Sequence, residues 1–316
     1  MISSIAVFFS SLVVSLLLTF PVVWLLTLFK IGQPVRAEGP ATHQAKAGTP
    51  TMGGIGFVVT ILALALILID LDLNPLYLAL VLLTLAYALI GLADDLLKVT
   101  RGRNLGLTFW QKICAQVVAA SAFAAYLTFL GHNLEAAGLL SRLGFYQAFV
   151  YPFFLTFIIV GFANATNLTD GLNGLLGGTG TIAFLSLAVL AAGAGAPVAV
   201  TFALIVAGAL VAFLYFNFPK AAVFMGDIGS LAVGAALAGL AIILHHEFRL
   251  LLIGGIFVIE ALSVILQVTS FKLFKRRIFR MTPLHHTFEL MGIKEWIVVV
   301  GFWVIGLIFG IAGIWI

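Results

Sequence analysis

Asp94 and Asp95 stand side by side in "YALIGLADDLLKVTRGR", where an apolar run gives way to a basic loop. An aspartate at the centre of a membrane helix costs roughly 2.5–3.5 kcal/mol on insertion scales, so two at such a seam need a chemical reason. On a helix they point about 100° apart and cannot face one partner identically. Lys98, four residues from Asp94 and three from Asp95, can pair with either. A single acid suffices for a salt bridge at a membrane surface. Two acids make a metal or phosphate–metal site the competing reading.

Four more polar segments interrupt the apolar sequence. "GQPVRAEGPATHQAKAGTPTMGG" (32–54) suits a loop exposing backbone N–H groups, with Lys46 and Thr51 able to reach a phosphate. An ordinary re-entry loop explains it equally well. In "GFANATNLTDGLNGLLGG" (161–178), Asn164, Asn167 and Asp170 fall at spacing three if the preceding helix continues, and Gly171 and Gly174 allow close approach to the backbone. Asp227 in "FPKAAVFMGDIGSLAVG" can be a helix N-cap or a hard-oxygen ligand of the kind Mg²⁺ accepts. In "FKLFKRRIFRMTPLHHTFEL" (271–290) a basic run precedes His285, His286 and Glu289. Adjacent histidines point to different faces and no cysteine is near, so zinc fits poorly and phosphate recognition fits better. Glu260, inside an apolar run, is an intramembrane acid with Gln267 two turns below on the same face. A structural hydrogen bond between helices is the expectation for it.

These segments must be carried by membrane helices. Of the 316 residues 63% are hydrophobic and only 9% charged, against about a quarter charged in soluble domains. Spans of about 20 apolar residues are expected near 3–29, 52–70, 76–93, 109–130, 148–163, 176–192, 197–216, 229–245, 251–272 and 295–315. The first run is too long for a signal peptide's apolar core and lacks its basic flank, so it reads as a retained span. The expected fold is therefore all-α, a polytopic membrane protein of about ten transmembrane helices, one integral membrane domain over residues 1–316. If loop 30–51 faces the cytoplasm, alternation puts 94–112, 164–175, 217–228 and 272–294 there too. Those loops hold 14 of the 16 lysines and arginines, and only Arg142 and Arg249 lie on the other side. By the positive-inside rule both termini then face outward and the chemistry belongs on the cytoplasmic face. The single cysteine, Cys114, excludes an internal disulfide and reads as a packing residue.

Taken together, "KAGTPTMGG", "GLADDLLK", "NATNLTDGLNGL", "VFMGDIGSLAVG" and "KRRIFRMTPLHHTFEL" resemble, in order, the polyprenyl-phosphate N-acetylhexosamine-1-phosphate transferases, nearest to their phospho-N-acetylmuramoyl-pentapeptide branch. The resemblance implies transfer of phospho-MurNAc-pentapeptide from UDP-MurNAc-pentapeptide to undecaprenyl phosphate, releasing UMP, by an Mg²⁺-dependent enzyme of the bacterial cytoplasmic membrane. A homodimer is implied, and no nucleic acid partner. Carried over by motif, Asp227 ligates Mg²⁺, with Asp94 and Asp95 at the catalytic centre. Lys46, Thr51, Asn167, Asp170, Gly171 and Asn173 line the nucleoside-diphosphate pocket, assisted by Lys98 and Lys112. Phe224 is placed to stack on uracil, and His285 and His286 sit near the sugar-phosphate end. Two positions depart from the family pattern: Asn173 replaces an aspartate, and Thr287 stands where a third histidine is usual. Two rival readings are a UDP-N-acetylglucosamine-1-phosphate transferase and, from another class, a secondary transporter. Transporters place ionisable groups at the bilayer midplane, whereas these acids gather at one face.

Overall fold

Inside a bilayer the backbone finds no water to bond, and helices satisfy its polar groups locally. The computed structural model describes residues 3–29, 31–32, 48–70, 73–102, 105–132 and 150–316, and among these it is all-α, with a single isolated bridge between Gly32 and Pro50. In chain order the helices are α1 (Ser4–Leu28), α2 (Gly54–Leu68), α3 (Pro75–Arg101), α4 (Phe109–Phe129), α5 (Tyr151–Thr169) and α6 (Leu175–Gly193). They continue with α7 (Pro197–Asn217), α8 (Asp227–Ile243), α9 (Glu247–Ile253), α10 (Gly255–Phe274), α11 (Leu284–Leu290) and α12 (Glu295–Trp315). Eight are long and apolar enough to cross a membrane, and α2 and α8 are shorter apolar helices of 15 and 17 residues. The chain is a polytopic helical membrane protein.

Each expected span corresponds to a helix, with three corrections of consequence. Helix α3 does not stop at residue 93 but runs to Arg101, because nothing breaks it before Gly102, which takes a left-handed conformation at φ 58°. Asp94, Asp95 and Lys98 therefore lie on helix, not in a loop. Likewise α5 continues through Asn164 and Asn167 to Thr169. The ninth span is split at Gly254 into the short α9 and the long α10.

Helix α8 is the hub. Sixteen of its 17 residues are buried, and it packs against α3, α5 and α2. Its glycines, alanines and Ser230 let those neighbours come close, the usual device of membrane helix packing. Thr166 of α5 donates to the Ser230 carbonyl across this contact at 2.9 Å. Helices α1, α10 and α12 instead leave most of their apolar surface uncovered, as lipid-facing helices do.

A second close contact lies far from the polar segments. On α1, Ser11, Ser15 and Thr19 recur one per turn and are fully buried. The Ser11 hydroxyl donates to the Ile205 carbonyl (2.5 Å) and Ser15 to that of Ala209 (3.2 Å) on α7. Gly208 faces them, and a Cβ there would overlap the Phe8 carbonyl. Gly208→Val is expected to separate α1 from α7 and to lower the thermal midpoint of the purified protein, consistent with an overpacking cost of about 1–3 kcal/mol. Turnover per folded molecule should stay near wild type, which a thermal-shift assay paired with a rate measurement would check.

Candidate active site

Alternating topology brings one set of helix ends together: the C-termini of α3 and α5 and the N-termini of α4 and α8. There Asp94, Asp95 and Asp227 each offer a carboxylate oxygen, and these atoms lie within 4.8 Å of one another. Lys98 Nζ is 2.6 Å from Asp94, 3.1 Å from Asp227 and 3.7 Å from Asp95. Lys112, in the first turns of α4, reaches Asp227 Oδ2 at 2.5 Å. On the other oxygen of Asp227, Asn167 donates from Nδ2 at 3.0 Å, and the same amide reaches Ser230 Oγ at 2.8 Å. Six residues read from the sequence thus share one cluster.

The aspartate pair divides its contacts. Asp94 accepts the Leu107 N–H at 2.9 Å, which ties the α3–α4 loop back onto the helix. Asp95 is fully buried and accepts the Ile228 N–H at 3.1 Å. A side chain from α3 therefore serves an N–H that α8 cannot satisfy internally. Asp227 does not cap α8. That position belongs to Gly226 (φ 78°), with no side-chain cap bond, which leaves the Asp227 carboxylate for the lysines and Asn167. Two glycines make the junction possible: a Cβ on Gly91 would overlap the Asp227 carbonyl, and one on Gly226 would come within 2.6 Å of Asp95 Oδ2.

The remaining predicted residues surround this cluster. Asp170 ends α5 and is half-buried. Burial first, then the charges of Asp227 and Asp95, push its carboxyl well above the ordinary carboxylate range. Gly171 lies against His285, whose Nε2 a Cβ would overlap. Asn173 donates from its amide to the Pro219 carbonyl at 3.3 Å, and its N–H meets Glu295 of α12 at 2.8 Å. Phe224 is half-buried, and its backbone joins residues 224–225 to 50–54: Phe224 N to Pro50 O at 2.8 Å, Gly53 N to Phe224 O and Gly54 N to Met225 O at 2.9 Å each. This pairing carries Thr51, whose buried hydroxyl has no hydrogen-bond partner, toward the Asp227 loop. His285 is fully buried, while His286 turns to Glu289 at 2.8 Å. The two rings do face different ways. Lys46 lies outside the described residues.

Sequence reading missed several participants. Asn217 accepts the Gly174 N–H at 2.6 Å and donates to the Val223 carbonyl at 2.8 Å, clamping two polar loops together. An asparagine closing an apolar run just before Phe218–Pro219 was the available signal. Ser230, three residues beyond Asp227, and Gln116, one turn beyond Lys112, were also legible by spacing. Gln116 Oε1 accepts from Asn164 at 2.6 Å beneath the cluster.

Three carboxylates against two ammoniums leave one formal negative charge, and all three offer hard oxygens. The donor set fits a divalent oxygen-seeking cation. Among the described residues it is the one group that meets this geometry.

Residues 77–245 match glycosyl transferase family 4, and residues 46–58 match phospho-N-acetylmuramoyl-pentapeptide-transferase signature 1. The phospho-N-acetylmuramoyl-pentapeptide-transferase of Shouchella clausii is 48% identical over 289 residues, 91% of this chain and 89% of its own length. The relatives so named in Bacillus licheniformis and Bacillus subtilis are 46% and 44% identical, each over 96% of this chain and 94% of their own.

The geometry separates the structural role of Asp95 from its charge. Asp95→Asn keeps an acceptor for Ile228 N–H and should hold the thermal midpoint. Asp95→Ala leaves that N–H buried and unpaired, a loss of about 1–3 kcal/mol, and should lower it. Equal midpoints for the two variants would contradict the bond's importance.

Proposed function

The chain belongs to the phospho-N-acetylmuramoyl-pentapeptide transferases of glycosyl transferase family 4, and on that premise we propose that it transfers phospho-MurNAc-pentapeptide from UDP-MurNAc-pentapeptide to undecaprenyl phosphate, giving lipid I and UMP in peptidoglycan biosynthesis. The observation that carries this reading is the junction of Asp94, Asp95 and Asp227 with Lys98 and Lys112 at converging helix ends. It is an anion-and-cation site beside the membrane surface, as a reaction between two phosphates needs.

The reaction joins an oxygen of the lipid phosphate to the sugar-bearing phosphorus. The bond from that phosphorus to the bridging oxygen breaks, and its electron pair leaves with UMP. A phosphomonoester's second pKa is about 6, so the nucleophile is largely ionised near neutrality and needs no strong base. In this reading Asp94 accepts its last proton or orients it. Asp227 would hold Mg²⁺, with Asp95 shaping its site, and the bound ion would neutralise diphosphate charge and improve the leaving group. Lys98 and Lys112 offset the remaining charge where it develops. Thr51, with its unpartnered hydroxyl, Asn167, Asp170, Gly171, Asn173, Phe224 and Lys46 receive the nucleoside diphosphate. His285 and His286 meet the sugar-phosphate end.

Several features support the wider reading. Fourteen of the 16 basic residues fall in the sequence segments 30–51, 94–112, 164–175, 217–228 and 272–294, which alternation puts on one side, and this favours a cytoplasmic site, outward termini and residence in the bacterial inner membrane. A site there meets a soluble donor and a lipid acceptor without moving either across the bilayer. The chain then acts as one transferase domain. A homodimer belongs to the same reading and rests on family resemblance alone.

With purified protein, undecaprenyl phosphate and Mg²⁺, UMP release is expected from UDP-MurNAc-pentapeptide and not from UDP-N-acetylglucosamine, and chelation should stop it. Release with UDP-N-acetylglucosamine alone would overturn the donor assignment. Asp94→Asn is expected to lose about a hundredfold or more in turnover with both substrates still bound. Near-normal turnover at neutral pH would refute the role given to Asp94.

A further inference from the structure

Glu260 is a carboxylate in the membrane helix α10, fully buried among apolar neighbours. Such a group demands a partner. Gln267 is not that partner. Its amide grips the loop beyond α10, accepting from Ile278 and Phe279 N–H (2.9 and 3.0 Å) and donating to the Phe279 carbonyl at 2.9 Å. The partner of Glu260 is His285. Oε1 accepts the His285 backbone N–H at 3.2 Å, and the same oxygen lies 3.2 Å from the ring's Nδ1, both side chains having no solvent contact. At Nδ1 this is a close contact without hydrogen-bond alignment, so both buried ring nitrogens, and Glu260 Oε2, have no hydrogen-bond partner. That Nε2 edge lies on Gly171, in the Asp170–Gly171 turn.

Of the two ring nitrogens Nδ1 is the one that faces Glu260, and a carboxylate oxygen there favours the tautomer with hydrogen on Nδ1. Nε2 is then the nitrogen left for another group. Histidines whose far nitrogen is held by a carboxylate are fixed in tautomer and orientation this way. We infer that Glu260 is the positioning residue of His285: through one oxygen it anchors the start of α11 and holds the imidazole with Nε2 directed at the Asp170–Gly171 turn. This rests on the reading that His285 meets the sugar-phosphate end of the donor. Glu260 itself touches no substrate. The seven-residue α11 is thereby tied to α10 at a defined height, and Gly171 is the position whose missing Cβ makes room for the ring.

A simple structural role for Glu260 would lower stability and act independently of the ring. The test is a double-mutant cycle on the full-length protein, reading UMP release, substrate KM and thermal midpoint for Glu260→Gln, His285→Gln and the pair. Glu260→Gln keeps an acceptor for the backbone N–H but frees the ring to take either tautomer. We expect it to lower kcat about tenfold or more, with donor KM and midpoint little changed. In the His285→Gln background the same substitution should change kcat by less than about twofold, since groups acting as a unit are not additive. An equal factor in both backgrounds, or wild-type turnover of Glu260→Gln, overturns the inference. If His285→Gln alone is fully active, the assignment of His285 falls and the inference falls with it. If Glu260→Gln does not fold, Glu260→Asp enters the same cycle, and its partial kcat loss must again vanish without His285.

Discussion

Like-charge crowding is the constraint from which the rest of this structure follows. Two carboxylates at 4 Å repel by about 4 kcal/mol at an effective dielectric of 20, and here three contribute oxygens within 4.8 Å. The protein offsets this with ammoniums from two different helices, Lys98 of α3 and Lys112 of α4, and with the amide of Asn167 from α5. No one element can supply all of these. The cluster exists only when α3, α4, α5 and α8 end at the same level, so packing and site are one problem. The remaining formal negative charge is what a divalent cation is suited to take up.

Helix polarity sharpens the point. The C-terminus of α3 carries the negative end of its dipole, which disfavours Asp94 and Asp95, while Lys98 and Arg101 in its last turns offset it. The N-terminus of α8 carries the positive end and lies against Asp95 through Ile228 N–H. The unfavourable end of one helix is thus compensated by the favourable end of another. That compensation requires the two backbones to approach at Gly91 and Gly226, where any side chain would collide with Asp227 or Asp95. Small residues along α8 extend the same close packing to α5, where Thr166 bonds to the Ser230 carbonyl.

Much of this was legible in the residues. Hydropathy located the long apolar helices among the described residues. Spacing anticipated Lys98 pairing with both aspartates. Helix ends were misjudged where polar residues continue a helix: hydropathy falls at Asp94 and Asn164, but the backbone bonds do not. Long-range partners were invisible for a different reason. Nothing local says that Asp95 will serve α8, that Asn217 will hold Gly174, or that Glu260 will meet His285. Those pairings are set by which helices neighbour each other, and a single sequence does not encode that order in any short pattern.

The two sides of the site are built by different means, and this bears on how it handles two substrates. The acidic side is carried by long helices packed around the buried α8, with its charges fixed by several mutual contacts. The histidine side is carried by a seven-residue helix and a basic loop. Three side chains of α10 hold these: Glu260 at the start of α11, Gln267 at residues 278–279 and Ser270 at the Arg276 carbonyl. Glu260 and Gln267 lie two turns apart on one face, with Ser270 about a turn beyond, so α10 acts as a rail along which the loop is pinned. Beyond Ser263 the rail is largely exposed and apolar, including Ile265, Leu266, Phe271 and Phe274. The Glu260 contact is fully buried, whereas the Gln267 contact at residues 278–279 is partly exposed. The acidic cluster is thus fixed by contacts among its own side chains on four helices, whereas the place of the histidines depends on polar side chains of a single, largely lipid-facing helix.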